Sequence, residues 1–233
     1  MRLKDLDRAR AVALAVLLCF ALAGGIFAGG PPKTTVLTNA TVIDATGRDP
    51  IEGATVVIEG NRIESVGRQP WTGREDESVR VLDLDGAWVL PGLWNNHSHL
   101  GDLLPDPKGM LDDEPLMRAT IRAGRNAMDA LKAGFTSLRM TGERDFMDVA
   151  WKEAFDAGVF VGPRIVAAGP PIANANDHDW LTVGVDGPDE MRAMVRQHVD
   201  NGAELIKLIA SRLTREEIQA AIEQAHELGV PVT

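Results

Sequence analysis

The sequence predicts an α/β fold in which a β-rich N-terminal segment precedes a parallel sheet covered by helices. Residues 35–89 contain short runs rich in β-branched residues, and turn formers separate these runs. From residue 99 onwards, amphipathic helical segments alternate with apolar runs of strand length. Such alternation is typical of parallel sheets, because a helical crossover brings each strand back in the same direction.

The composition and charge limit the class of protein. Of the 233 residues, 45% are hydrophobic and 25% are charged, which is normal for a globular protein with a core. The formal net charge of -10 argues against a nucleic-acid partner, because phosphate contacts need clustered basic residues. The single cysteine, Cys19, excludes a disulfide within one chain.

Residues 1–30 have the features of a targeting segment. A basic start is followed by an apolar run over residues 11–28, which contains a small-x-small cleavage site at Ala21-Leu22-Ala23. We expect export to the periplasm or the cell exterior if this segment is cleaved. If it is retained, residues 11–28 would anchor the protein in the membrane, although this run is close to the shortest length that spans a bilayer. Contact with the membrane is expected only through these residues.

Residues 33–90 are expected to form the strands of a small β structure. The predicted strands cover residues 36–43, 54–58, 62–66 and 79–84. The second and third strands flank Glu59-Gly60-Asn61, which is typical of a hairpin turn. These strands are too few to close a sheet, so they either belong to a larger sheet or form an independent small β domain.

Residues 91–233 are expected to alternate strands with helices. After an opening strand, predicted strands cover residues 135–140, 164–169, 204–210 and 229–233. Predicted helices cover residues 117–131, 146–157 and 189–201, and a last helix follows a capping box formed by Thr214 and Glu217. The residues expected to face inward on the first helix are Met117, Ile121, Gly124, Met128 and Leu131, and those on the last helix are Ile218, Ala221, Ile222 and Ala225.

The opening strand carries two histidines, His97 and His99, directly after an apolar run that is interrupted by Pro91-Gly92. Side chains two residues apart on a strand lie on the same face, so both imidazoles are expected to point to one side. Neutral imidazoles suit zinc and its first-row neighbours, and the lack of a nearby cysteine argues against a closed structural zinc site. The alternative is two polar residues on a half-exposed strand.

Pro-Gly-Leu, two further residues and His-x-His resemble the metal-dependent amidohydrolase superfamily. Three other segments are similar to the branch that holds imidazolonepropionase-like enzymes and Xaa-Pro dipeptidases: residues 135–139, 162–165 and 202–207. The resemblance implies that residues 91–233 are the first half of a (β/α)8 TIM barrel. It also implies that residues 33–90 are the N-terminal strands of a small β-sandwich, completed from the far end of a longer chain. An open α/β sheet is the alternative.

The resemblance implies a divalent metal cofactor, expected to be zinc, as one or two ions. His97 and His99 would bind the metal, and Lys207 would capture carbon dioxide as a carbamate that bridges two ions. The apolar neighbours of Lys207 are compatible with this role, because a buried ammonium without a partner tends to lose its proton. The alternative is a lysine that extends to solvent from the end of a strand.

The sequence departs from the family pattern at several positions. Asn95 and Met140 stand where the family often has aspartates. The histidines of the fifth and sixth strands and the proton-shuttling aspartate of the eighth strand do not occur in this sequence. We therefore assign no catalytic residue and expect the chain to be an N-terminal fragment that is inactive by itself.

Two further residues are candidates for substrate binding. His178 follows the third predicted strand, where the loops of a barrel contact substrate, although a solvated loop histidine fits the same position. Arg139, at a strand end, is suited to hold either a substrate carboxylate or a structural carboxylate in a bidentate pair.

Together these features predict a hydrolase that cleaves a C–N bond in an amide, a cyclic amide or a dipeptide through a metal-activated water. Its partner would be a small-molecule or dipeptide substrate, and the exposed apolar surfaces of a half-barrel would favour a homo-oligomer. One alternative is a one-metal deaminase, in which Lys207 has no special role. Another is a membrane-held binding module or a non-functional remnant.

Overall fold

The computed structural model describes residues 33–74, 76–102, 114–176, 179 and 181–233. The predicted leader, residues 1–30, and His178 lie outside these residues. The chain divides between Pro91 and Gly92 into two compact units, called here the N-terminal unit and the C-terminal unit. Among the helices that are described, none combines the length and the apolarity that a bilayer crossing requires.

The N-terminal unit is a β-sheet. Its strands are β1 (Thr34–Val42), β2 (Ile51–Glu59), β3 (Arg62–Gly67), β4 (Val79–Asp83) and β5 (Trp88–Val89). The order is β3-β2-β1-β4, and β5 also pairs with β1. The β1–β2 and β2–β3 pairs are antiparallel, whereas β4 and β5 run parallel to β1. The predicted strands agree with β1 to β4, and the two-residue β5 was missed because it is too short to show a periodic pattern.

The core of the N-terminal unit comes from side chains on one face of its two central strands. Ala40 and Val42 of β1 pack with Ala54 and Val56 of β2, and all four are buried. The period of two between these positions is the one that a strand imposes. The unit is therefore held together mainly by apolar burial across the β1–β2 pair.

The C-terminal unit is an α/β structure, as predicted. Strands β6 (Leu93–Ser98), β7 (Phe135–Met140) and β8 (Arg164–Val166) form a parallel sheet in that order, and β9 (Ile172–Asn174) pairs in parallel with β10 (Val183–Val185). The helices are α1 (Leu116–Lys132), α2 (Met147–Asp156), α3 (Pro188–Asp200) and α4 (Arg215–Glu227). The described residues form no closed barrel. The β9–β10 pair was not predicted, because three-residue strands carry little pattern.

The predicted strand 204–210 is an extended segment with single bridges rather than a regular strand. Leu208 bridges to Ile172, and Ile206 bridges to Val232, both in parallel. The Glu204 amide also donates to the Ala167 carbonyl, 2.8 Å away. These bonds link the segment to β9 on one side and to residues 230–233 on the other, and they fix the position of Lys207.

The predicted inward face of α1 is right at Gly124 and wrong at the large apolar residues Met117, Ile121 and Met128. Met117 and Ile121 are 76% and 69% exposed, and the buried residues are Ala119, Ala123, Gly124, Asn126 and Ala127. The reason is close packing: a Cβ at Gly124 would collide with the Trp151 indole, which lies directly against the helix. Both faces repeat every three to four residues, and the face of small residues is the one that lets the helix approach its neighbours.

The predicted capping box of α4 is confirmed. The Thr214 side chain accepts from the Glu217 amide, and the Glu217 carboxylate accepts from the Thr214 amide, 2.7 Å away. The inward face was only partly right, because Ala221 and Ala225 are buried but Ile222 is 37% exposed. Ala220 occupies the buried position instead, so small residues again form the packed side of the helix.

Candidate metal site

The two histidines of the His-x-His motif lie side by side at the end of β6. Their ring centroids are 5.4 Å apart, and the ring planes meet at 62°. The Asn95 side-chain oxygen accepts from the His97 amide, 3.0 Å away, and so fixes the backbone between the strand and the rings. Asn95 therefore holds the His97 backbone by a hydrogen bond, although it lacks the charge of an aspartate.

His97, His99 and Lys207 line one cavity with a volume of about 240 Å³. The structure thus brings together the three residues for which the sequence suggested metal binding. The expectation of a buried lysine was wrong, because Lys207 is half-buried whereas Ile206 and Leu208 beside it are buried. The remaining lining residues are Thr141, Pro171, Asp179, Leu181, Thr182, Ile209 and Arg212.

The electrostatic surroundings favour a neutral imidazole at His97. Partial burial lowers the pKa of His97, the positive charges of His99, Lys207 and Arg139 lower it further, and Asp102 opposes them. Neutral imidazole is the form that binds metals, so this part of the donor set fits a divalent cation. Within the part of the chain that the structure describes, no group of three or more His, Cys, Asp or Glu residues is arranged to hold a metal ion.

His99 is held by the loop that follows β7. Its Nδ1 lies 2.7 Å from the Gly142 carbonyl oxygen, and its Nε2 lies 3.3 Å from the Thr141 hydroxyl. Such a bond from the second ring nitrogen is the usual way in which proteins orient a metal-binding histidine. Thr141 and Gly142 were not singled out in the sequence, although the end of a predicted parallel strand is where site residues are expected.

The roles of the two candidate substrate-binding residues stay predictions, for different reasons. Arg139 donates to the Asn96 carbonyl oxygen, 2.8 Å away, and it is not among the described residues that line the cavity with Lys207. A role for Arg139 in holding a substrate carboxylate stays a prediction. His178 lies outside the described residues, so its role also stays a prediction.

Other charged residues lie near the histidines, and the sequence indicated no role in the site for them. Arg212 and Asp179 line the cavity and form an ion pair with an N–O distance of 3.2 Å. Asp102 lines a second cavity of about 390 Å³ that also touches His97 and His99. Burial raises the pKa of Asp102, while the positive charges of His99, Arg122 and His97 oppose the rise. Single acidic or basic residues in loops carry no sequence signal that separates them from solvated ones.

Known proteins resemble this chain in sequence and in fold. The protein-family model for the Amidohydrolase family matches residues 88–233. The ochratoxinase of Aspergillus niger is 25% identical over 239 residues, which cover 83% of this chain and 48% of that protein. An adenine deaminase of Ruegeria sp. is 33% identical over 103 residues, which cover 43% of this chain and 16% of the deaminase.

A crystal structure gives the same result for the fold. A Xaa-Pro dipeptidase with methionine bound in its active site has a TM-score of 0.72 and 27% identity, with 85% of this chain and 55% of the dipeptidase covered. The chain thus spans about half the length of the ochratoxinase and of the dipeptidase. These relatives are hydrolytic enzymes, and the family model covers more than half of the sequence. The predicted resemblance is therefore confirmed, and the chain belongs to the amidohydrolase family.

Proposed function

We propose that this chain carries part of the active site of a metal-dependent hydrolase that cleaves a C–N bond in an amide, a cyclic amide or a dipeptide. The observation that supports the proposal is the cavity shared by His97, His99 and Lys207. Two imidazoles and an amine around one cavity are a donor set that a merely structural strand end does not require. In this proposal residues 91–233 are the first half of a (β/α)8 barrel.

His97 and His99 would hold a divalent metal, for which zinc is the first candidate. A bound metal of this kind polarises a carbonyl and lowers the pKa of a water to about 7. Lys207 would become a third ligand once its neutral amine nitrogen adds to carbon dioxide and releases a proton, because the resulting carbamate is an anion. A second ion is proposed to share that carbamate.

The remaining cavity residues would receive the substrate. Arg212 supplies positive charge next to the histidines, and its partner Asp179 accepts from the Leu181 and Thr182 amides. We propose that a small molecule or a dipeptide binds here and that His178 and Arg139 contribute to its binding. The dipeptidase that carries methionine supports a substrate of about this size.

A one-metal deaminase is the second candidate, and the adenine deaminase relative favours it. In a deaminase of this type Lys207 would be an ordinary residue. A Lys207→Ala variant separates the two proposals by its metal content. The hydrolase proposal expects the variant to lose the carbamate and the second metal. The deaminase proposal expects the metal content to be the same as in the unsubstituted chain. A non-functional remnant would bind no metal at all.

We also propose that residues 1–30 direct export, with residues 11–28 as an anchor if they are retained. Protease accessibility in cells whose outer envelope has been permeabilised tests this proposal, because an added protease then degrades an exported chain. A chain that stays protected until the inner membrane is opened would contradict it.

Zinc titration of the 233-residue chain, followed by calorimetry, tests the metal site. We expect saturable binding that weakens at least about tenfold in His97→Ala and in His99→Ala. The matched control is His226→Ala, since His226 is exposed on α4 and should leave binding unchanged. Binding that is equal in the doubly substituted chain, or no binding in the unsubstituted chain, would refute the proposal.

A further inference from the structure

The three residues that follow β7, Thr141-Gly142-Glu143, lie along the backbone that follows β6. The Thr141 amide donates to the Ser98 carbonyl oxygen, 3.1 Å away. The Glu143 carboxyl accepts from the Gly101 amide, at 3.1 Å and 3.3 Å for its two oxygens. His99 lies between these two bonds, so the segment 141–143 spans the residues on both sides of the candidate metal ligand.

The bond between His99 and Gly142 determines which ring nitrogen carries the proton. A carbonyl oxygen can only accept a hydrogen bond, so the Nδ1 atom that lies 2.7 Å from the Gly142 oxygen has to be the donor. In the neutral ring Nε2 then keeps its lone pair. The Thr141 hydroxyl lies 3.3 Å from Nε2 and 3.5 Å from the Ser98 carbonyl oxygen, and its one proton can serve either acceptor. Nε2 is therefore the nitrogen that is available to a metal.

The position of the Gly142 carbonyl is fixed by its surroundings. Gly142 has φ +144°, and a Cβ at this position would collide with the Pro171 ring. The loop that carries Pro171 is held in turn, because the Glu143 amide donates to the Gly169 carbonyl oxygen at 3.0 Å and a His198 ring nitrogen lies 2.8 Å from the Pro170 carbonyl oxygen. A side chain at residue 142 would have to move the peptide that His99 binds.

The backbone beyond His99 is held from a second side. Arg122 of α1 donates from Nε and Nη2 to the Gly101 carbonyl oxygen, at 3.1 Å and 2.9 Å. Asn126 donates to the carbonyl oxygens of Leu100 and Asp102. With the Gly101 amide bound to Glu143, which is 3% exposed, this peptide has little freedom to shift. His99 thus enters the cavity from a backbone that is held by hydrogen bonds on both sides.

We propose that Gly142 is the positioning residue of His99, whose Nδ1–H it holds with its carbonyl oxygen so that Nε2 offers a lone pair to a divalent cation. The inference rests on the proposed metal site. It adds a reason why residue 142 is a glycine, and it specifies which ring nitrogen of His99 binds the cation. Gly142 acts through His99 and does not itself touch the cation.

The first test is a nitrogen NMR spectrum of the metal-free, unsubstituted chain at a pH where His99 is neutral. We expect the Nδ1–H tautomer, whereas the Nε2–H tautomer is the commoner one in free histidine. An Nε2–H tautomer at His99 would overturn the proposal. Because this measurement needs neither a variant nor a metal, it decides the orientation of the ring even if the chain proves not to bind zinc.

The second test compares zinc binding by Gly142→Ala and Gly158→Ala. Both glycines have positive φ, but a Cβ at Gly158 meets nothing within 4 Å, so the control has backbone strain without the collision. We expect Gly142→Ala to weaken zinc binding by about 10- to 100-fold and Gly158→Ala to leave it unchanged. Equal affinity in Gly142→Ala and the unsubstituted chain would refute the inference while leaving the metal site itself intact.

A Thr141→Val variant keeps the test decisive if Gly142→Ala fails to fold. Valine has nearly the same shape but lacks the hydroxyl that lies 3.3 Å from Nε2. We expect the Nδ1–H tautomer to persist, because the Gly142 carbonyl alone determines it, and zinc binding to change by less than about threefold. A switch of tautomer in this variant would show that Thr141, not Gly142, positions the ring.

Discussion

The two units of this chain differ in what they bury. In the N-terminal unit, Thr55 is the one buried polar residue within the described ranges. In the C-terminal unit the buried polar or charged residues are Asn126, Thr141, Glu143, Asp148, Thr182, His198, Glu217 and Gln224. Because a buried polar group costs free energy unless it is hydrogen-bonded, the C-terminal unit depends on specific bonds to a much larger extent.

The difference shows what the buried acids do. All three in that list accept hydrogen bonds from backbone amides of loops: Glu143 from Gly101, Asp148 from Ala168 and Gly169, and Glu217 from Gly187. The N-terminal unit uses apolar burial to hold strands together, whereas the C-terminal unit also uses carboxyl groups to fix its loops. Fixed loops are what a binding site needs, and the candidate site lies in the C-terminal unit.

The largest effect expected from one substitution at a fixed pH is that of Asp148→Ala. The Asp148 carboxyl accepts from the amides of Ala168 at 2.7 Å and of Gly169 at 3.0 Å, and its loss leaves buried donors without partners. We expect the free energy of unfolding to fall by about 3 kcal/mol. Urea denaturation followed by circular dichroism at 222 nm measures it, because the described helices belong to the C-terminal unit.

The matched control for this change lies on the same helix. Asp156 is exposed and pairs with Lys152 at 2.6 Å, so Asp156→Ala should cost less than about 1 kcal/mol. Equal losses in the two variants would mean that the buried carboxyl does not fix its loop, and the contrast between the units would fail.

The next largest effect is expected from a substitution in the apolar core of the N-terminal unit. Val36 of β1 is fully buried, so Val36→Ala removes two buried methyl groups and should lower the stability of this unit by about 2 kcal/mol. Hydrogen exchange of the β1 and β2 amides measures the loss. Val66→Ala, on an exposed position of β3, should change exchange very little, and a similar change in both variants would contradict the assignment of the core.

A pH dependence follows from Glu143. Burial raises its pKa from 4.5 to about 8, the negative charge of Asp148 adds to this rise, and hydrogen bonds from the Gly101 and Leu100 amides oppose it. Between pH 4.5 and 8 the folded chain keeps a proton that the unfolded chain has lost. Stability should therefore fall as pH rises through this window, by at most about 1.4 kcal/mol per pH unit, and the contribution should level off above it.

Urea denaturation at several pH values, with two variants, isolates this contribution. Glu143→Gln should make the slope between pH 5 and 8 shallower, because the side chain no longer titrates. Glu153→Gln, which changes an exposed carboxylate of α2, should keep the slope of the unsubstituted chain. An unchanged slope in Glu143→Gln would show that this group is ionised in the folded protein.

The smallest effect is expected at the start of α4. Thr214→Ala removes the side-chain acceptor of the Glu217 amide, 3.2 Å away, and should destabilise the C-terminal unit by about 1 kcal/mol. Gln219→Ala, an exposed change on the same helix, should stay within about 0.5 kcal/mol. Thermal unfolding of the pair is sufficient, and a larger loss for Gln219 would contradict the role of the cap.

Much of the fold could be predicted because it depends on local patterns. Runs rich in β-branched residues between turn formers placed β1 to β4, the capping box identified the start of α4, and spacing put His97 next to His99. The inward face of α1 could not be predicted, because the contact of Gly124 with Trp151 joins residues that are distant in sequence. For a helix of this kind, periodicity alone cannot distinguish the packed face from the exposed one.

The site was predictable only where a motif marks it. The His-x-His pair and Lys207 were identified because the segments that contain them resemble one family. The Gly142 carbonyl and the Glu143 carboxyl have no such mark, since the first is a backbone atom and the second resembles any acid that follows a strand. Their roles depend on the loop after β7 meeting the loop after β6.

The hydrogen bond between His99 and the loop after β7 matters for protein design, where a His-x-His motif is moved to another scaffold. If only the two histidines are grafted into another scaffold, the carbonyl group that determines which ring nitrogen of His99 carries the proton is left behind. The smallest unit to transfer is the pair of adjacent strands β6 and β7 together with the loops that follow them. A designer would have to copy the glycine as well as the imidazoles.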